Sequence, residues 1–191
     1  VMKPLDYSQL FMLIFFYTLL GITAAAELPE LDRQIRHQLV SAAGKKDGFK
    51  DRFHAQVWLL DMEYRFRTRI PQLKKRLAIL RLVHREAVQA NLAPELVLAI
   101  IEVESNFNRF AISEAGARGL MQIMPFWLKE IGHKEDNLMD IATNLRFGCT
   151  ILRRYINREK GDLTRALARY NGSIGKTWYP NRVYKALRHW Q

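Results

Sequence analysis

Between Pro94 and Ser105 the chain reads PELVLAIIEVES, and the eight positions from Leu96 to Val103 hold a single charge, Glu102. At about 100° per residue, a helix built from this run is apolar on nearly every face. Such a helix is stable only with other helices around it, so the segment predicts the centre of a helical core rather than a surface element. Pro94 suits its first turn, where a backbone N–H has no intrahelical partner to lose.

The flanking sequence supplies the surrounding helices. Leu28, Leu31, Ile35 and Leu39 recur at helical spacing until Gly44, and Lys45-Lys46-Asp47-Gly48 interrupts the pattern as a turn. Phe53, Val57, Leu60 and Tyr64 mark a second helix ending near Pro71, and Leu73, Leu77, Leu80 and His84 mark a third that reaches Asn91. After Ser105 the pattern breaks into a loop with Gly116 and Gly119, then a short segment ending at Pro125. Asp140 is placed to cap a longer helix with Ile141, Leu145, Cys149, Leu152 and Tyr155 as its stripe. Gly161 stops that helix, and Asp162 can cap a further pair of turns through Tyr170. Pro180 to Trp190 makes a closing helix with Val183, Leu187 and Trp190 on one face. No β-strand is required, so the expected class is all-α, with Cys149 in the core. No internal repeat, low-complexity stretch or long linker divides residues 27–191.

The first 26 residues have a different character. Lys3 precedes an apolar run from Leu10 to Ile22, and Ala24-Ala25-Ala26 supplies the small residues that signal peptidase accepts. The run is short of the roughly 20 residues needed to span hydrocarbon, which favours an export signal at 1–26 over a membrane anchor. Export implies the periplasm or the cell exterior, and a lone Cys is compatible with an oxidising compartment. That lone Cys, with five scattered His, also excludes a disulfide scaffold and gives no zinc-ligand spacing. Thirty Lys and Arg against 19 Asp and Glu give a net charge of +11, the charge of a protein that meets anions. The positive charge is spread along the chain rather than gathered in a tail, which weakens a nucleic-acid reading and suits peripheral attraction to an anionic envelope surface.

Glu102 and Glu104 end the apolar helix on roughly opposite sides, about 200° apart, so they cannot act as a close pair and need separate explanations. A carboxyl held against apolar surroundings stays protonated to higher pH and can serve as a general acid, which glycosidic bond cleavage requires. A buried Glu paired with one of the many Arg is the ordinary structural alternative for each. Three separated motifs decide between them: Glu104-Ser105-Asn106-Phe107-Asn108, then Gly116-Ala117-Arg118-Gly119-Leu120-Met121-Gln122-Ile123-Met124-Pro125, then Ala168-Arg169-Tyr170-Asn171-Gly172. In this order they resemble the catalytic domain of the soluble lytic transglycosylases, over about residues 74–191.

The resemblance implies a goose-type-lysozyme-like helical fold that cuts the β-1,4 bond between N-acetylmuramic acid and N-acetylglucosamine in peptidoglycan strands. It leaves a 1,6-anhydro end and uses no cofactor and no metal. Residue by residue, the catalytic Glu falls on Glu104, which leaves Glu102 structural. One carboxylate suffices if the sugar's own N-acetyl group stabilises the cationic centre; Glu114 and Asp140 are weaker candidates for a second. Ser105 resembles the hydroxyl that contacts substrate, beside the plainer reading of a helix-end hydroxyl bonded to its own backbone. Gln122 offers the amide that N-acetyl recognition requires. Gly119 allows close backbone approach, and Met121 is either cleft lining or core filler. Tyr170 and Asn171 match a Tyr-Asn pair that orients the acid and holds the sugar, whereas Arg169 departs from the family's Ala. The rings of Phe126-Trp127 and Trp178-Tyr179 either stack on sugars or are buried.

Residues 27–73 lie outside the resemblance and form an N-terminal helical extension expected to pack on the catalytic domain at 74–191. Two other readings stay open from the residues: a lysozyme-type muramidase that admits water in place of the C6 hydroxyl, and a catalytically silent peptidoglycan-binding module.

Overall fold

The apolar segment forms a helix running from Pro94 to Ser105, and Leu96 through Ile101 are all buried, five of them with no exposed surface. The computed structural model describes residues 52–191, all within one compact unit. The leader and the helix and turn expected over 28–48 lie outside the described residues. Along the described chain the helices are α1 (Arg52–Phe66), α2 (Leu73–Gln89), α3 (Pro94–Ser105), α4 (Trp127–Ile131), which sequence reasoning did not anticipate, α5 (Ile141–Arg158), α6 (Leu163–Asn171) and α7 (Trp178–Leu187). The all-α expectation holds for the described residues, where only isolated bridges join Ile112 to Arg118 and Arg118 to Ile123.

Five helices close a ring. α3 packs against α2 and α7, α7 against α6, α6 against α5, and α5 returns to α2, while α1 lies on α2. The expected caps are in place: Asp140 accepts from the Thr143 N–H at 2.9 Å, and Asp162 accepts from the Arg165 N–H at 3.0 Å. Each satisfies one of the backbone donors that a helix start leaves without an internal partner. α7 begins two residues before Pro180, and Cys149 is fully buried in α5, where burial pushes its thiol pKa up.

α1 forms as its spacing predicts, but on the other face. Phe53, Val57, Leu60 and Tyr64, whose recurrence marks the helix, are exposed, and Ala55, Leu59, Met62 and Phe66 are buried. Both sets have the same i, i+4, i+7, i+11 spacing, offset by two residues or about 200°. Periodicity therefore identifies the helix without selecting its inner side. Tertiary partners select it: the Phe66 ring meets Phe107 at 4.4 Å and Trp190 at 5.9 Å. Buried Glu63 pairs with buried Arg76 of α2, and the Trp58 indole donates to Glu95 at 2.7 Å.

After α3 the chain reverses through two successive left-handed residues, Asn106 (φ 45°) and Phe107 (φ 64°). A left-handed Phe costs on the order of 1–3 kcal/mol. Burial of its ring between Phe66 and Trp190, 4.4 and 5.6 Å away, offsets that cost and fixes the start of the loop that crosses the site.

The inner face of α1 is open to a direct check with two adjacent leucines. Leu59→Ala should lower stability by about 2–5 kcal/mol, the usual loss for a buried leucine. Leu60→Ala, on the exposed stripe, should change it by about 0.5 kcal/mol or less. Urea unfolding of the two variants measures both, and equal losses would contradict the assignment of faces.

Candidate active site

Glu104 lies in the last turn of α3, and its Oε1 accepts a hydrogen bond from the Tyr179 hydroxyl of α7 at 2.5 Å. Burial raises its pKa to about 7, against the smaller lowering effects of the Tyr179 hydrogen bond and the positive charge of Arg182. Loss of hydration penalises the ionised form more than one neutral donor and one more distant cation can restore. Among the described residues no arginine, lysine or histidine forms a salt bridge with it. The carboxyl is thus available as a proton donor near neutral pH.

Glu102, two positions earlier, has the opposite surroundings. Its Oε1 pairs with Arg69 at 2.5 Å and His189 at 3.1 Å, and its Oε2 accepts from the Trp190 indole at 2.8 Å. It joins α3 to the segment after α1 and to the C-terminal turn, as a structural carboxylate does. The two acids face apart, as their spacing requires. Glu114 is exposed in the loop, and Asp140 is occupied as a helix cap. Among the described residues no three His, Cys, Asp or Glu side chains converge as metal ligands would.

The segment Gly119–Gln122 is fixed chiefly through its backbone. Buried Asn144 of α5 accepts from the Met121 N–H at 2.8 Å and donates to the Arg118 and Leu138 carbonyls, each at 2.8 Å. From α6, the Tyr170 hydroxyl donates to the Met121 carbonyl at 2.8 Å. Both polar groups of Met121 are therefore held by side chains from other helices. Gly119 adopts φ 76°, and a Cβ there would collide with the Asn144 amide and the Leu138 carbonyl. The close approach it allows is to this clamp inside the protein.

Of the two readings of Met121, cleft lining and core filler, its surroundings fit the second. Its side chain is wholly buried against Gly148 of α5 and has no surface to offer a ligand, so it fills the core instead of lining a cleft. The Ser105 hydroxyl donates to the Leu120 carbonyl at 2.8 Å and also lies 3.2 Å from the Ile101 carbonyl, tying the loop to the end of α3. Gln122, at φ 50°, donates from its side-chain amide to the carbonyls of Gly119 at 2.9 Å and Ala111 at 3.2 Å, leaving Oε1 as an open acceptor among the described residues. Asn171 is exposed at the end of α6, where Gly172 takes the left-handed turn.

Tyr179 is the residue that sequence reasoning left undecided between sugar stacking and burial. It is 1% exposed and is the acid's only side-chain hydrogen-bond partner among the described residues, whereas the adjacent Trp178 is half exposed. Burial, then the nearby Glu104 charge, raises the pKa of both Tyr170 and Tyr179 well above the usual phenol value, so each remains a hydrogen-bond donor. Of the four rings at 126–127 and 178–179, Phe126 and Trp178 have substantial open faces and Trp127 is partly covered. Cavities of about 440 and 480 Å³ lie elsewhere on the chain, and Glu104 lines neither.

Known proteins resemble this chain in sequence. Residues 81–191 match the family described as the transglycosylase SLT domain. A transglycosylase of Enterobacteria phage PRD1 is 36% identical over 108 residues, 53% of this chain and 40% of the phage protein. A membrane-bound lytic murein transglycosylase C of Actinobacillus pleuropneumoniae serotype 5b is 50% identical over 44 residues, 23% of this chain and 12% of its own. The chain thus spans less than half the length of these curated relatives. Among solved structures, an inactive mutant of lytic transglycosylase Slt from Pseudomonas aeruginosa aligns over 90% of this chain and 30% of its own, with 25% identity and a TM-score of 0.47. With its matched segment covering more than half of the sequence, this chain belongs to the transglycosylase SLT domain family.

Proposed function

We propose that the chain is an exported peptidoglycan lytic transglycosylase that cleaves the N-acetylmuramic acid–β-1,4–N-acetylglucosamine bond and leaves 1,6-anhydro ends. The observation that carries this reading is Glu104 itself: half-buried, bonded to Tyr179, without an arginine pair among the described residues, and with a pKa of about 7. The neutral carboxyl gives its proton to the bridging oxygen as the bond from that oxygen to C1 breaks, and the N-acetyl group supports the cationic centre. The resulting carboxylate then takes the proton of the C6 hydroxyl as O6 closes on C1. One proton leaves Glu104 and one returns, and no water is consumed.

The neighbouring groups fit supporting roles. Tyr179 holds Glu104 at a fixed orientation and donates to it in both protonation states. Gln122 Oε1 and the exposed Asn171 amide are available to sugar amide and hydroxyl groups, and Ser105 and Gly119 shape the loop beside them. The exposed faces of Phe126 and Trp178 suit the apolar sides of sugar rings. Export to the periplasm or cell exterior rests on the leader-like character of residues 1–26 and agrees with a substrate found outside the cytoplasm.

Glu104→Gln should reduce release of soluble muropeptides from purified sacculi by at least about a hundredfold, the scale of lost general acid catalysis. Equal release by the variant would refute the assignment. Mass spectrometry of the wild-type products should show ends lacking one water; ends with water added would identify a hydrolase instead.

Two pH effects follow from the same carboxyl. The acid must be protonated to act, so kcat/KM should fall above about pH 7, and Tyr179→Phe, which removes a lowering hydrogen bond, should move that limb upward. Because the folded pKa of about 7 exceeds the ordinary 4.5, the native state binds the extra proton, and stability falls as pH rises between those values. Glu104→Gln escapes that penalty, so it should be more stable than wild type by about 3 kcal/mol at pH 8 and nearly equal to it at pH 4, measured by urea unfolding.

A further inference from the structure

The departure at Arg169 has a structural counterpart. Arg169 pairs with Glu159 Oε1 at 2.6 Å, and Arg165 pairs with Glu159 Oε2 at 2.8 Å. These three side chains, with Lys176, line a cavity of about 440 Å³ beside α6 and the turn that leads to α7. Ala168 and exposed Ile174 supply an apolar wall.

Charge and donor capacity in the cavity are out of balance. Both oxygens of Glu159 are engaged, yet Arg165 uses only its Nε and Arg169 keeps one terminal nitrogen with no hydrogen bond among the described residues. Lys176 has no ion-pair partner among the described residues. Three cations face one carboxylate, leaving a net positive site with surplus N–H donors that suit carboxylate oxygens. The volume falls within the roughly 300–1,000 Å³ of small-molecule sites and exceeds what a single inorganic anion needs.

We propose that this cavity binds a carboxylate of the peptide stem carried by the glycan strand. Its wall residues Ala168 and Arg169 directly precede Tyr170-Asn171 in α6, and its turn residues lead into Trp178-Tyr179. A peptide attached to a sugar held at Asn171 can reach it, and its aliphatic portion meets Ile174 while its carboxylate meets the cations. The identity of the carrier rests on the activity proposed above; the anion site itself does not.

The test uses the full chain and isothermal titration with the stem tetrapeptide released from sacculi, the same peptide with its carboxyls amidated, and inorganic phosphate. Arg165 is 71% exposed and Lys176 is also exposed, so Arg165→Gln and Lys176→Gln leave the core intact. Wild type should bind the free-acid peptide, each variant should weaken that binding roughly tenfold, and amidation should weaken it at least as much. Equal binding of the amidated peptide, or unchanged binding by both variants, would overturn the site. Phosphate bound as tightly as the peptide would mark a general anion pocket and overturn the stem assignment. In turnover, wild type should have a lower KM on stem-bearing than on stem-stripped glycan, and Lys176→Gln should shrink that difference; an equal loss on both substrates would count against the proposal. If wild type cleaves neither glycan, the activity falls while the titration still judges the cavity.

Discussion

The 2.5 Å hydrogen bond from Tyr179 to Glu104 opposes the burial of the same carboxyl, and the balance of the two sets its protonation at neutral pH. Burial has the larger effect and holds the pKa near 7. A second bond of the kind Glu102 receives from Arg69 would reverse that result, because a paired guanidinium favours the ionised form strongly. The position of Glu104 in the last turn of α3 acts in the same direction as burial, since the C-terminal end of a helix carries partial negative charge that disfavours a carboxylate. The apolar run that makes α3 a core helix is thus also what makes its terminal acid a weak one. Fold and chemistry share a single cause here.

The loop tied to the end of α3 through Ser105 must also hold its shape. The Met121 peptide meets that need: Asn144 binds its N–H and Tyr170 binds its carbonyl. The two successive helices α5 and α6 are both tied to this loop through one residue's backbone, and the buried Met121 side chain fills the space against Gly148 of α5. A substitution at Gly148 would collide with the thioether, and one at Gly119 would collide with the Asn144 amide, so both glycines serve close packing around the clamp. The motif that resembles a substrate-contact sequence thereby carries a large structural load through its backbone.

Six of the seven described helices, both Asp caps and the separation of Glu102 from Glu104 were legible in the sequence because each depends on local spacing, whereas the five-residue α4 is too short to show a period. α1 shows the limit of such reasoning. Its two apolar stripes have identical spacing, and only partners such as Phe107, Trp190 and Arg76, far along the chain, select the inner one. Tyr179 escaped for the same reason: it lies 75 positions from Glu104, and no periodicity relates the two. Asn144 left a fainter signal, a polar residue one position from a core leucine on an otherwise apolar stripe, which a search for buried amides would have flagged. Met121 shows a different limit, where the motif resemblance picked out the residue but left open whether it lines a cleft or fills the core, and only the packing against Gly148 decides for the core.

The segment before the family-matched residues bears on the acid as well. Phe66 and Arg69 precede residue 81, where the match begins, yet they pack on Phe107 and Trp190 and pair with Glu102. Arg69 also stands over the Trp190 ring at 5.3 Å. Without them Glu102 would keep its partly buried position but lose its strongest cationic partner, an arrangement that costs more than never having had the pair. The end of α3 would then be free to shift, and with it Glu104, two residues on, whose 2.5 Å contact with Tyr179 tolerates little displacement. Phe66 and Arg69 therefore belong physically with the end of α3: they secure one side of the helix terminus while α7 holds Glu104 on the other.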